Sequence, residues 1–170
     1  TVPPTVDGVS LDYGTGVLEV HASEALDAIS VNLNLLWVAN LPSGNDVLLA
    51  EAATALSSPS VLTITLSSAQ REAALLLSST PGGDGMAAVL YVGAFAFGAL
   101  SGNGVALIGD VPIGESADTV PPTVDGVSLD YGTGVLEVNA SKAVADTSVF
   151  LDLLWVANFD SGTDVPTGEI

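Results

Sequence analysis

The stretch TVPPTVDGVSLDYGTGVLEV, residues 1–20, returns letter for letter as residues 119–138, which gives the chain an internal repeat with a period of 118 residues. The match continues with decay, so that 37 of 52 positions are identical between residues 1–52 and 119–170. Solenoids and propellers repeat every roughly 20 to 50 residues, whereas a period this long fits a string of whole domains, each with its own core. The chain therefore reads as one full unit, 1–118, followed by the first part, 119–170, of a second copy. If the 118-residue unit is the folding unit, residues 119–170 expose strand edges and apolar faces, and further chain or a neighbouring subunit is expected to cover them, in the second case by strand complementation. The alternative is that each 52-residue stretch is a small sheet domain by itself.

Working outward from the repeat, TVPPTVDG at 1–8 fits an interdomain linker, because paired prolines stiffen an extended backbone and cannot occupy a central strand. Its copy at 119–126 marks the next boundary. VSLDY, GTG and VLEVHA between Val9 and Ala22 alternate as two strands joined by a Gly-rich turn. Leu11, Tyr13, Leu18, Val20 and Ala22 are expected inward, with Ser10, Asp12, Glu19 and His21 toward solvent. Residues 29–39 (ISVNLNLLWVA) and 61–66 (VLTITL) read as further strands, the first closed by the Ser-Gly pair at 43–44. Ser67 and Gln70 form a capping-box pattern at the head of a short helix over 67–77. After the PGGDG break at 81–85 come a buried strand from Met86 and, beyond SGNG at 101–104, a last strand at 105–108. The spacing predicts an all-β fold, an immunoglobulin-like antiparallel β-sandwich with one short crossover helix.

Composition narrows the function. With 48% apolar residues the chain folds rather than remaining disordered. Arg71 and Lys142 face twenty carboxylates, a net charge of −18, which repels nucleic acid and anionic membranes. Such a polymer also repels itself unless salt, divalent cations or a glycan coat separates the charges, which suits an extracellular setting. There is no Cys, so disulfides, zinc-thiolate sites and thiol catalysis are excluded. The most apolar run, MAAVLYVGAFAFGAL at 86–100, is shorter than the ~20 residues a spanning helix requires, so no membrane insertion is expected.

The linker D-T-x-P-P-T at 118–123, V-S-L-D-Y-G-T-G-V-L-E-V at 127–138 and A-S-E-A-L around 23–26 resemble the tandem immunoglobulin-like or cadherin-like repeats of very large extracellular proteins of bacteria and algae. The resemblance runs on through VLTITL, the helix and the G-A-x-x-x-x-A-x-x-G-N segment at 93–103, nearly the whole unit. It implies a spacing or assembling role at the cell surface. Such repeats often carry an Asp before the late G-N, and residues 96–100 supply none, which withholds a calcium site there.

Candidate sites follow from side-chain chemistry. Asn139-Ala140-Ser141 is an N-glycosylation pattern with Asn139 outward on its strand, although His21 holds that place in the first copy. Pro3, Pro4, Thr5, Pro121, Pro122 and Thr123 suit O-linked sugars on Thr or hydroxylated Pro, against the plainer reading of a stiff unmodified hinge. Asp118, Asp125, Glu24 and Asp27 could gather oxygens for calcium, the one cofactor candidate, but Lys142 and Ala145 replace two of them in the second copy, and solvated carboxylates are the better reading. Trp37 and Trp155 share the LLWVAN position. The apolar flanks favour a core Trp over an exposed platform for sugar or for a neighbouring subunit, the interface role these two residues would carry. His21 is the sole histidine, so no histidine relay or multi-His metal site can be built, and the chain is not expected to be an enzyme. The sequence thus points to a self-associating structural segment of an extracellular fibre, with glycans as its coat, and secondly to a carbohydrate-binding or adhesion module.

Overall fold

The computed structural model describes residues 2–40, 47–142, 144, 149–157 and 164–166, for the last three the backbone alone. Thr1, the 43–44 pair and Ala145 lie outside the described residues. The chain divides into two units, Thr1–Val120 and Pro121–Ile170, two residues beyond the boundary the repeat suggests.

The first unit is an all-β sandwich with one helix. Its elements are β1 (Val6–Asp12), β2 (Val17–Ala22), β3 (Leu26–Asp27), β4 (Leu36–Ala39), β5 (Val47–Leu48), β6 (Ala53–Ser58), β7 (Val61–Thr65), α1 (Ser68–Leu76), β8 (Val89–Val92), β9 (Gly98–Ala99), β10 (Ile108–Pro112) and β11 (Gly114–Ser116). One sheet runs β11-β1-β2-β7-β6, the other β10-β8-β4-β5, and β3 pairs with β9. The apolar positions of the two sheets meet in one core: Leu11, Leu18, Val20, Leu62 and Ile64 from the first, Leu36, Val38, Leu90 and Val92 from the second, with Tyr13 and Phe97 between them. Each such aliphatic side chain contributes about 1.5–3 kcal/mol by leaving water. The expected inward set of Leu11, Tyr13, Leu18, Val20 and Ala22 is buried.

The β1–β2 turn is built by Asp12, whose carboxylate accepts from the amides of Gly14 at 2.8 Å and Thr15 at 3.3 Å. Gly16 then takes φ +72°, a left-handed conformation that a side chain would strain. Arg71 ties α1 to this turn, its guanidinium donating to the Gly14 carbonyl at 3.2 Å. Helix α1 crosses from β7 in one sheet to β8 in the other, as expected. Its capping box is present: Ser67 Oγ accepts from the Gln70 amide at 3.3 Å and Gln70 Oε1 from the Ser67 amide at 3.0 Å. Gln70 also donates to the Leu48 carbonyl at 2.8 Å, which anchors the helix on β5. Ser67→Ala is expected to lower the stability of the first unit by about 1 kcal/mol, measurable as a shifted urea midpoint with an unchanged slope.

Several expectations are corrected. The sandwich is not wholly antiparallel, because β11 runs parallel to β1. The linker 1–8 is shorter than read, with β1 starting at Val6 and Pro4 buried. The strand expected at 29–39 is mostly two 3-10 turns, Ala28–Ser30 and Leu33–Leu35. Asp27 and Asn32 cap them by accepting from the Ile29 and Asn34 amides, and these local bonds outcompete a ladder. The run at 86–100 pairs only over Val89–Val92 and Gly98–Ala99; between them the Gly93 amide bonds the Leu35 carbonyl and Phe95 turns at φ +64°. The last strand of the second sheet lies at Ile108–Pro112 rather than 105–108.

The second unit holds β12 (Val124–Asp130), β13 (Val135–Ala140), a 3-10 turn at Leu151–Leu153, β14 (Trp155–Ala157) and β15 (Asp164–Pro166). Each pairing repeats the first unit with the numbers advanced by one period. The β12–β13 ladder runs from Val124↔Ala140 to Asp130↔Val135, as β1–β2 runs from Val6↔Ala22 to Asp12↔Val17, each with one irregularity near its start. The β14–β15 pair Trp155↔Pro166 corresponds to Trp37↔Leu48. Asp130 rebuilds the turn on the amides of Gly132 and Thr133, and these backbone donors, Gly132 first, hold its carboxyl below the usual carboxylate range.

Candidate functional site

Strand alternation in β4 sends Leu36 and Val38 into the core and Trp37 to the opposite face. Trp37 is therefore half-buried rather than a core residue, which corrects the sequence expectation; its apolar neighbours are themselves core and conceal the alternation. On the adjacent strand Tyr91 stands directly opposite, and the two rings meet edge to face with centroids 5.4 Å apart, a favoured aromatic geometry. Leu48 on β5 flanks Trp37 from the other side and is exposed. Gly109 lies beside the Tyr91 ring, 3.8 Å from where a Cβ would stand. The outer face of the second sheet thus carries a row, Leu48, Trp37, Tyr91, able to stack on a sugar ring or pack against another apolar surface.

A second arrangement escaped the sequence reading. Tyr13 is buried, and its hydroxyl donates to Glu115 Oε1 at 2.8 Å. The other carboxylate oxygen accepts from the Ser79 hydroxyl at 2.6 Å and from the amides of Ser79 and Ala88 at 3.3 and 3.4 Å. Glu115 thus clasps the last strand of the unit to its first hairpin, to the loop after α1 and to the approach of β8. Burial, reinforced by the bond to Glu115 and its charge, pushes the Tyr13 hydroxyl well above its ordinary value of 10.0. A fully buried Tyr demands a polar partner, and that was the available signal; nothing in the sequence said which carboxylate supplies it.

The same tyrosine in the second unit has neither cover nor clasp. Tyr131 is 89% exposed where Tyr13 is 0%, Val127 60% where Val9 is 8%, and Val138 41% where Val20 is 0%. Leu153 and Trp155 are likewise exposed.

Among the other sequence-predicted sites, Asn139 is exposed on β13 opposite Gly126. Pro3, Thr5, Pro121, Pro122 and Thr123 are exposed, and the hydroxyls of Thr5 and Thr123 donate to Asp7 and Asp125. Pro4, being buried, presents no surface for a sugar in the folded first unit. The acidic residues are not brought together: Asp27 caps a 3-10 turn, Asp118 accepts from the Val120 amide, and no three acidic or histidine side chains among the described residues group as metal ligands. One shallow depression of about 310 Å³ lies over Ser10, Asp12, Thr15, Glu19 and Ser116. Among the described residues no helix is long and apolar enough to cross a membrane.

No protein-family model matches the chain, and no curated protein matches it. Three solved structures overlap it loosely across 98% of its length: the S-layer protein rSbsC(31-844), at 11% identity and TM-score 0.47, the N-terminal part of the bacterial S-layer protein SbsC, at 12% and 0.45, and surface layer protein SbsC, domains 1-6, at 12% and 0.48. The chain spans 22%, 38% and 22% of those chains, respectively. Overlaps this loose assign neither family nor function.

Proposed function

We propose that the chain is a structural element, a run of β-sandwich repeats in an extracellular fibre or surface array that assembles by noncovalent packing rather than by chemistry. The observation that carries this reading is the duplication itself: the same hairpin, in the same register, buries its apolar face in the first unit and leaves it open in the second. A surface of that kind calls for another polypeptide. The net charge of −18 fits a setting where salt or a coat of sugars at Asn139, Pro3, Thr5, Pro121, Pro122 and Thr123 screens repulsion between units. Sedimentation velocity and negative-stain imaging of the purified chain test it. Filaments or sheets are expected, growing with ionic strength as the carboxylates are screened; a monomer at every salt and calcium concentration overturns the reading.

A second reading, a carbohydrate-binding or adhesion module, is favoured by one observation, the Trp37–Tyr91 row on the outer sheet face. In a Trp155→Phe background, neutral oligosaccharides should then change Trp37 fluorescence in a saturable way, and Tyr91→Ala should weaken that binding by roughly 1 kcal/mol or more. Unchanged fluorescence across a panel of hexose oligomers removes this alternative.

A further inference from the structure

We infer that the β12–β13 hairpin is the receiving half of a sandwich, and that its occupant is a polypeptide segment built like residues 53–118 of this same chain. The inference rests on the array reading and names the surface at which one unit is completed.

The first unit displays the whole contact. Strand β7 lies antiparallel on β2, with Leu18 opposite Ile64 and Val20 opposite Leu62. Strand β11 lies parallel on β1, with Leu11 opposite Glu115, and the Tyr13 amide donates to the Ser116 carbonyl at 3.0 Å. Advanced by one period, the receiving positions are Leu136 and Val138 for a β7-like strand, and Leu129 and Tyr131 for a β11-like strand. These residues are identical to those of the first copy, and the hairpin that carries them has the same pairing and turn. The two outer edges of a two-stranded sheet offer unpaired backbone groups on both sides, and a lone hairpin of this kind is marginal in water.

The chemistry selects among occupants. A partner must bring a carboxylate to the Tyr131 hydroxyl and aliphatic side chains in strand alternation to Leu136 and Val138. Residues 53–118 supply both, as Glu115 and as Leu62 and Ile64. A second copy of the β12–β13 hairpin brings no carboxylate to that point in this register, because Asp130 is committed to its own turn. A generic acidic partner is repelled by the charge of the chain.

The test extends the full chain after Ile170 by a second copy of residues 53–118 and compares it with the unextended chain. Nitration of Tyr131 by tetranitromethane, read by mass spectrometry, should slow at least tenfold on extension, and the amides of β13 should gain protection from hydrogen exchange. An extension carrying Asp at the positions that correspond to Leu62 and Ile64 should give neither effect. The inference is overturned if Tyr131 reacts equally fast with and without the extension, or if the unextended chain already protects it in a concentration-dependent dimer. Array formation is read separately, by sedimentation. An extended chain that stays monomeric with Tyr131 protected upholds this inference and sinks the array reading. One that assembles with Tyr131 reactive does the reverse.

Discussion

Tyr13→Ala is expected to destabilise the first unit by about 3–5 kcal/mol, the range for truncating a buried aromatic, whereas Tyr131→Ala leaves the unfolding of that unit where it was. The two substitutions fall in the same twenty-residue sequence, so local propensity is equal and only the surroundings differ. Tyr13 fills the core between the sheets and holds Glu115; Tyr131 has 89% of its surface in solvent. Parallel denaturant titrations of the two variants, with tryptophan emission as the probe, measure the contrast directly. Equal losses would mean that the second hairpin is covered in solution.

The second large effect is alkaline. Burial and the Glu115 carboxylate favour the neutral form of Tyr13, so its folded-state pKa lies above the ordinary 10.0 of the unfolded chain. A raised pKa means that the stabilisation is fully present below pH 10 and is lost as pH rises beyond it, since only the unfolded chain then gives up the proton. Each pH unit above 10 is expected to remove about 1.4 kcal/mol from this residue alone. Tyr13→Phe should abolish that slope while costing about 1.5–3 kcal/mol at neutral pH, the worth of a hydrogen bond to a charged acceptor. Urea midpoints of both proteins between pH 7 and pH 12 provide the measurement; a wild-type slope no steeper than that of Tyr13→Phe would contradict the buried clasp.

What the sequence disclosed and what it hid divide along physical lines. The hairpin of residues 9–22 was legible because one of its faces is buried and the other wet, which imprints a period of two on the residues. The Ser67–Gln70 box was legible because capping is local. Strand β6 was missed because it is an edge strand, exposed along nearly all of its length, and so carries no alternation. Strand β11 was missed because it is three residues long and exists through pairing with β1, about a hundred positions earlier. Residues 29–39 look like a strand by hydropathy, yet Asp27 and Asn32 each offer a side-chain oxygen to an amide two residues on and curl the chain into turns. Trp37 was misplaced for a related reason: with core residues on both sides, its outward direction is visible only once the register against Tyr91 is known. The same applies to Pro4, whose pattern reads as linker and whose burial depends on tertiary packing alone. The repeat itself, by contrast, was plain from identity, and it supplied the comparison that exposes the second hairpin as incomplete.

Cryo-electron microscopy of the native assembled material tests the structural role most directly. Sandwich units packed against one another at a regular spacing, with a strand laid along β13 and a carboxylate on the Tyr131 hydroxyl, are the predicted result. Separate units strung on flexible linkers, each with its Tyr131 face open to solvent, would contradict it.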